Sequence, residues 1–162
     1  MKKLFALILA VVMIATMSVT AFAANTTGGS TEVSFNVDPT YTVTIPATVE
    51  LNKVEDNGVV TYENDYTIGA NAGVRLKKNE YIEVTVASDF EMTTTEGATL
   101  AYTITAEGAA VATGGVVAEF ATDKAEQTAT IHIAANDPDY AGEYKDTVTF
   151  TVAVKVAANN PI

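Results

Sequence analysis

The stretch Thr147-Val-Thr-Phe-Thr-Val-Ala-Val-Lys-Val156 decides the fold. Apolar and polar side chains alternate along it, so that Val148, Phe150 and Val152 lie on one face of an extended chain and threonines lie on the other. A period of two residues is that of a β-strand, and a strand with one apolar face is half-buried. The stretch therefore predicts a long strand that covers one side of a core.

The same period recurs through the chain, between clusters of turn-forming residues such as Asp56-Asn57-Gly58 and Thr113-Gly114-Gly115. No segment after residue 23 has a convincing helical period. Short strands separated regularly by turns are typical of an all-β sandwich or barrel. We predict about eight or nine strands, at 31–37, 40–45, 47–51, 59–68, 80–88, 98–106, 115–120, 127–134 and 144–156.

Pro46 interrupts one apolar run. Because a proline cannot donate to a sheet ladder, we expect a kink there between two strand halves. Such a kink fits a single strand that serves both sheets.

The alternation also predicts which side chains form the core. The predicted core residues are Phe35, Ile45, Leu100, Ile104, Ile131, Ile133, Val148, Phe150 and Val152.

The segment Asp137-Pro-Asp-Tyr-Ala-Gly-Glu-Tyr144 resembles the turn before the last strand of bacterial immunoglobulin-like sandwiches. In that resemblance Gly142 and Tyr144 take the positions of a tyrosine corner, in which a ring hydroxyl caps a turn. The ending is also similar to those of spore-coat-U-like and fimbrial subunits, and residues 41–51 resemble secreted surface proteins of Gram-positive bacteria. The cysteines and core tryptophan of antibody domains are missing. The resemblance implies a two-sheet antiparallel immunoglobulin-like β-sandwich on a bacterial surface, and it supplies no site residues.

The amino terminus has the layout of a secretory signal peptide. Lys2 and Lys3 precede the apolar run 4–15, and Ala21-Phe22-Ala23 is a small-residue cleavage site. A membrane-spanning helix needs about 20 apolar residues, more than this run provides. We therefore expect cleavage after residue 23 rather than an uncleaved anchor, and a secreted product located outside the cell or on its surface.

The remainder of the chain has the size of one domain with one core. We predict a signal peptide at 1–23, a flexible leader at 24–30, the sandwich domain at 31–157 and a C-terminal tail at 158–162. The chain has no cysteine, so its fold does not depend on disulfides and it has no site for a lipid anchor. The C-terminal residues contain no Leu-Pro-x-Thr-Gly sorting signal, so we expect release or non-covalent retention.

The formal net charge is −11, and about −13 once Lys2 and Lys3 leave with the signal peptide. A chain this acidic repels phosphate backbones and anionic membrane surfaces, so we expect no nucleic-acid partner. Once the signal peptide is cleaved we also expect no stable membrane insertion. Solubility explains the acidity more simply than a cation-binding role. The loops Glu55–Gly58 and Asn136–Asp139 offer oxygen ligands for calcium but lack the spacing of a calcium loop. We therefore predict no metal site and no cofactor, and weak calcium binding by these loops, at the millimolar level, is the alternative.

The sequence contains none of the residue arrangements that are typical of a catalytic site. A Ser or Cys triad needs a base, and the single histidine, His132, lies in an alternating strand on the face opposite the core residues Ile131 and Ile133. A pair of carboxylates can hydrolyse glycosides. However, no apolar pocket is predicted around the acidic residues, and the chain has no tryptophan on which a sugar could stack. We predict no catalytic residues and a chain that is not an enzyme.

The leading hypothesis is a secreted structural or adhesion protein that acts through protein–protein contacts at the cell envelope, with other proteins or with copies of itself. Residues 31–37 would pair with the sheet edge of a neighbour, or equally with a strand of their own sandwich. The alternative is a carbohydrate-binding module with weak glycan affinity, for which Tyr62 and Tyr66 share a strand face. An enzyme is the third hypothesis.

Overall fold

A computed structural model of the chain describes residues 32–158. This part of the chain is an all-β sandwich of two antiparallel sheets, as predicted. Within it, no helix is long and apolar enough to cross a membrane. The strands are β1 (Val43–Thr44), β2 (Asn52–Asp56), β3 (Val59–Ala70), β4 (Glu80–Ala87), β5 (Glu91–Thr93), β6 (Thr99–Ala106), β7 (Ala109–Ala110), β8 (Val116–Phe120), β9 (Gln127–Asn136) and β10 (Thr149–Val156).

The large sheet has seven strands in the order β1-β3-β9-β6-β5, with β2 also paired to β3 and β7 also paired to β6. Its central ladder joins β3 to β9, from Thr61 opposite Asn136 to Ala70 opposite Gln127. The β2–β3 hairpin closes with two residues, Asn57-Gly58, both at positive φ. A two-residue turn of this hand matches the twist of paired strands, which is why Asn-Gly is favoured in it.

The small sheet has three strands in the order β10-β4-β8. The decisive stretch of the sequence forms β10, whose residues Phe150, Val152 and Val154 lie opposite Val86, Val84 and Ile82 of β4. The side chains on this face point between the sheets, and the three β4 residues are at most 1% exposed. The strand predicted at 144–156 therefore exists, but it begins at Thr149.

The core lies between the two sheets. Ile104, Ile131 and Ile133 are buried, as predicted, while the predicted core residues Ile45, Leu100, Val148, Phe150 and Val152 are partly buried at its periphery. The prediction for Phe35 is wrong, because its side chain is 88% exposed. The buried apolar residues are Tyr66, Ile68, Ala70, Val74, Ile82, Val84, Val86, Tyr102, Ile104, Ala106, Val117, Ala118, Phe120, Ile131, Ile133 and Ala135.

The start of the fold differs from the sequence prediction. Residues 32–39 belong to no strand, and neither do residues 47–51. Pro46 does follow the end of β1, and the described residues contain no cis peptide bond. However, β1 and β2 on either side of it both pair with β3, so this stretch stays in one sheet. The predicted signal peptide and leader, with residue 31, and the tail from residue 159 lie outside the described residues.

Candidate functional site

The two edge strands of the small sheet, β8 and β10, are covered to different extents. The β8 side chains Ala118 and Phe120, which lie opposite β4 core residues, are buried. On β10 the equivalent side chains are less covered: Phe150 and Val152 are half-buried, and Val154 is 38% exposed. In residues 32–158 β10 pairs with β4 alone. A free strand edge beside uncovered apolar side chains is suited to accept an added strand.

Tyr66 of β3 lies beneath β10. Its ring meets that of Phe150 edge-on, with the centroids 6.3 Å apart. The Tyr66 hydroxyl is buried and has no hydrogen-bond partner among the described residues. Burial raises the pKa of this hydroxyl to about 12. A buried polar group without a hydrogen-bond partner destabilises the fold. The hydrogen bonding of the core is therefore incomplete beneath β10.

An exposed apolar stripe precedes the fold. We call residues 32–39 the N-terminal segment; within it Val33 is 91% exposed, Phe35 88% and Val37 46%. In an extended chain these alternate residues share one face, with the same spacing as the inward residues of a strand. Single exposed apolar residues are common on proteins and need no explanation, whereas these three would form one continuous apolar face.

The N-terminal segment joins the sandwich at one end of the sheets. Thr40 and Arg75 exchange two backbone hydrogen bonds, each 2.8 Å from nitrogen to oxygen. Above this bridge an open groove of about 440 Å³ is lined by Phe35, Val37 and Pro39 on one side and residues 75–77 on the other. The segment is thus fixed at its C-terminal end and leaves the sandwich at that point.

A hydrogen-bonded group ties the start of β10 to both sheets. Ser88, after β4, and Tyr102, on β6, both donate from their hydroxyls to Oδ2 of Asp146, over 2.6 and 2.5 Å. Burial by itself would raise the pKa of Asp146, but the bonds from Ser88, Tyr102 and the Thr147 N–H hold it below its ordinary value. Burial and the Asp146 carboxylate raise the pKa of Tyr102. We call Ser88, Tyr102 and Asp146 the latch.

The latch also holds a strained turn. Phe90 has a φ of 59°, a left-handed conformation that bulky residues rarely adopt. Its N–H donates to Ser88 Oγ over 2.7 Å, and its ring packs edge-on against Tyr102 with the centroids 5.8 Å apart. This group was not predictable from the sequence, because its members lie in three separate segments and only the Ser88-Asp89 pair has the residue types of a turn.

The resemblance implies a tyrosine corner with a buried ring hydroxyl, and its hydrogen bond is present although Tyr144 is only partly buried. The Tyr144 hydroxyl donates to the carbonyl oxygen of Tyr140 over 2.8 Å. Gly142, between them, packs against Thr94, so closely that an added Cβ would lie 2.7 Å from Thr94 Cγ2. Thr94 is itself buried. The corner therefore fixes the segment that leads into the latch and β10.

His132 lies on the outer face of the large sheet, as predicted. Its Nδ1 is 2.8 Å from Asp65 Oδ1, and its Nε2 is 3.7 Å from Glu63 Oε2 on the neighbouring strand β3. All three side chains are substantially exposed. The structure thus gives the histidine a hydrogen bond to Asp65 on the exposed face of the sheet, and such surface contacts stabilise folds only modestly.

The tyrosines proposed as a sugar platform do not form one. Tyr66 is buried against Phe150, so only Tyr62 of the pair is near the surface. Across residues 32–158 no three His, Asp or Glu side chains are grouped to hold a metal ion. The loops Glu55–Gly58 and Asn136–Asp139, considered above for calcium, serve as a hairpin turn and as the exit from β9.

Comparison with known proteins gives only distant structural similarity. No family model matches the chain, and no curated protein matches its sequence. The crystal structure of the P pilus rod subunit PapA is similar with a TM-score of 0.46 and 12% identity, over 59% of this chain and 81% of that one. A chaperone–tip adhesin complex of CFA/I fimbriae biogenesis gives a TM-score of 0.39 and 14% identity, over 71% and 40% of the chains. Both TM-scores lie below 0.5, so neither similarity indicates a function for this chain.

Proposed function

We propose that the chain is an exported structural subunit, without enzymatic activity, that assembles with copies of itself by strand addition. In this proposal the N-terminal segment of one copy pairs with the free edge of β10 of the next. The observation that carries it is the exposed alternation of Val33, Phe35 and Val37 in a segment that belongs to no strand of its own sandwich.

The two surfaces complement each other chemically. The segment offers three apolar side chains at two-residue spacing and unpaired backbone groups, while β10 offers an unpaired edge beside Phe150, Val152 and Val154. Strand addition would form main-chain hydrogen bonds and cover apolar side chains of both partners. Each apolar side chain that becomes buried contributes roughly 1.5–3 kcal/mol, which together with the main-chain hydrogen bonds offsets the entropy lost on association. The added strand would also cover the side of the core above Tyr66.

Replacement of the anchors tests the proposal. We would compare the secreted parent chain with Val33→Ser/Phe35→Ser by size-exclusion chromatography with light scattering and by negative-stain microscopy. The parent is expected to form oligomers or filaments, and the variant to remain monomeric with an unchanged melting temperature, because the replaced side chains make no part of the core. A chain that begins at Tyr41 should behave like the variant.

The matched control is Asn36→Ser, which changes the opposite face of the same segment and removes only a surface hydrogen bond to Asp38. It should assemble as the parent does. A parent that stays monomeric at high concentration, or a double serine variant that assembles normally, would refute strand addition.

A further inference from the structure

The apolar face of the N-terminal segment does not by itself fix where the segment lies along β10. Its anchors, Val33, Phe35 and Val37, recur at every second residue. The inward-facing residues of β10 have the same spacing and are Phe150, Val152 and Val154. A shift of one residue would turn the anchors outward, but a shift of two residues keeps them facing the core. The apolar pattern therefore allows several registers that differ by two residues.

One charged side chain distinguishes the positions along β10. The outward-facing residues of the strand are Thr149, Thr151, Ala153 and Lys155. Lys155 is the only charged residue in β10. Its Nζ lies 3.4 Å from Oε1 of Glu83 on β4, and its side chain is still 48% exposed. An ammonium group has three donors, so Lys155 can receive a second carboxylate from the side of the free edge.

The rest of this outer face is less favourable for an acidic side chain. Glu83 lies opposite Glu119 of β8 on one side and opposite Ala153 of β10 on the other. Like charges on directly opposite residues destabilise a sheet. A carboxylate added beside Lys155 meets a cation, whereas one added beside Ala153 extends the row of the two glutamates. The outer face therefore prefers an acidic residue at one position only.

The N-terminal segment has an acidic residue at each end of its outward face. Glu32 and Asp38 each lie three residues from Phe35, on opposite sides of it. Glu32 is exposed and forms no ion pair within residues 32–158. Asp38 Oδ1 accepts a side-chain N–H of Asn36 over 3.0 Å. The direction of the added strand decides which of the two carboxylates meets Lys155.

Antiparallel pairing brings Glu32 to Lys155. Every strand pair within residues 32–158 is antiparallel, and this pairing is slightly more stable per residue than the parallel one. When Phe35 lies opposite Val152 in an antiparallel strand, all three anchors meet the three inward residues of β10, and Glu32 lies directly opposite Lys155. A shift of two residues places either Ser34 opposite Lys155 or Glu32 opposite Ala153.

We propose that Lys155 sets the register of the added strand by pairing with Glu32 of the neighbouring copy. This inference rests on the proposed strand addition and names the residue pair that selects one alignment among those that the apolar pattern allows. Lys155 then bridges Glu83 of its own sheet and Glu32 of the added strand. An exposed ion pair between strands is weak, so the pair selects the register, while the apolar anchors hold the strand.

Introduced cysteines report the register, because the chain has none of its own. Secreted chains with Ser34→Cys would be mixed with tagged chains that carry Ala153→Cys or Thr151→Cys, and cross-linking under mild oxidation would be followed on non-reducing gels. Directly opposite residues are close enough for a disulfide, whereas residues two positions away are not. Residue 34 lies opposite residue 153 in the proposed register, so Ala153→Cys should cross-link at least about threefold faster than Thr151→Cys.

Charge reversal tests the role of the pair. Lys155→Glu in the acceptor chain, or Glu32→Lys in the donor chain, should make the two cross-linking rates about equal. Both changes together should restore the preference for residue 153. Salt at about 0.5 M should weaken the preference of the parent charges, because it screens exposed ions. Melting curves establish that Lys155→Glu is folded, and Glu32→Lys tests the pair without altering the sandwich.

The matched control is Asp38→Lys in the donor chain, which reverses the other acid of the same face and should keep the preference. A preference that persists in both reversal variants, or that is lost with Asp38→Lys, would overturn the Lys155–Glu32 pair. Faster cross-linking of Thr151→Cys would also overturn it, since this result indicates a shifted register or a parallel strand. Strand addition would stand in each of these cases, because cross-links still form. Absence of cross-links at both positions would overturn both proposals.

Discussion

Residue 142 must be glycine because of a neighbouring side chain and not because of its backbone conformation. A Cβ added at this position would lie 2.7 Å from Thr94 Cγ2. The clash is specific to one methyl group of a buried residue. The Thr94 hydroxyl has another role, as it accepts the Ala98 N–H over 3.1 Å. Removing the methyl group while keeping the hydroxyl therefore separates packing from hydrogen bonding.

We expect Gly142→Ala to destabilise the fold by about 1–3 kcal/mol, the usual cost of overpacking. Thr94→Ser should restore much of that loss in the double variant, because serine retains the hydroxyl and lacks Cγ2. Urea denaturation of the four members of the cycle measures the coupling between the two positions. Additive effects would show that the close approach is relaxed by movement of the chain, contrary to this expectation.

At the scale of elements, the hydrogen bonds of the latch hold the chain in place just before β10. Asp146 accepts hydroxyl bonds from the end of β4 and from β6, so one carboxylate joins the small sheet to the large one just before the open edge. Its pKa in the folded protein is below the ordinary value of 3.8. A group whose pKa is lowered on folding stabilises the fold above its unfolded-state pKa, and this contribution is lost as pH falls through the folded-state value.

Asp146→Asn is therefore expected to lower the melting temperature near pH 7 and to have progressively less effect at acid pH. The amide keeps the size of the side chain but accepts the Ser88 and Tyr102 hydroxyls more weakly than a carboxylate does. Melting curves of both proteins between about pH 7 and pH 2 measure the difference between their melting temperatures. A difference that stays the same at acid pH would show that the charge of Asp146 does not contribute to stability.

The strands of the sandwich were predictable where alternation is long and turns have a distinct chemistry. Asn57-Gly58 located its turn because few residues other than Gly and Asn readily adopt positive φ at both turn positions. The strand before the turn was predicted at 47–51, whereas β2 lies at Asn52–Asp56. The alternation in residues 31–37 misled for a physical reason: a period of two shows that a segment is suited to a sheet, but not in which molecule the partner edge lies. The latch was not predictable, since its members are brought together only by the final packing of the sheets.

At the scale of the whole molecule, the open edge and the exposed segment lie on one chain but do not meet in it. If the edge of β10 is an acceptor, it should bind the segment as a free peptide as well as in a neighbouring copy. A ligand that binds only the folded state stabilises that state by an amount set by its concentration relative to its dissociation constant. The melting temperature of a non-assembling variant is thus a direct measure of whether the edge accepts a strand.

We expect a peptide of residues 31–39 to raise the melting temperature of Val33→Ser/Phe35→Ser, which cannot supply effective anchors of its own. At 100 times the dissociation constant the stabilisation is about 2.7 kcal/mol, or about 8 °C for a domain of this size. A peptide with the same two serines is the control and should leave the melting temperature unchanged, because its backbone can pair but its side chains leave the apolar edge uncovered. Equal effects of the two peptides would mean that backbone pairing alone drives the contact, and no effect of either would mean that the β10 edge does not accept this segment.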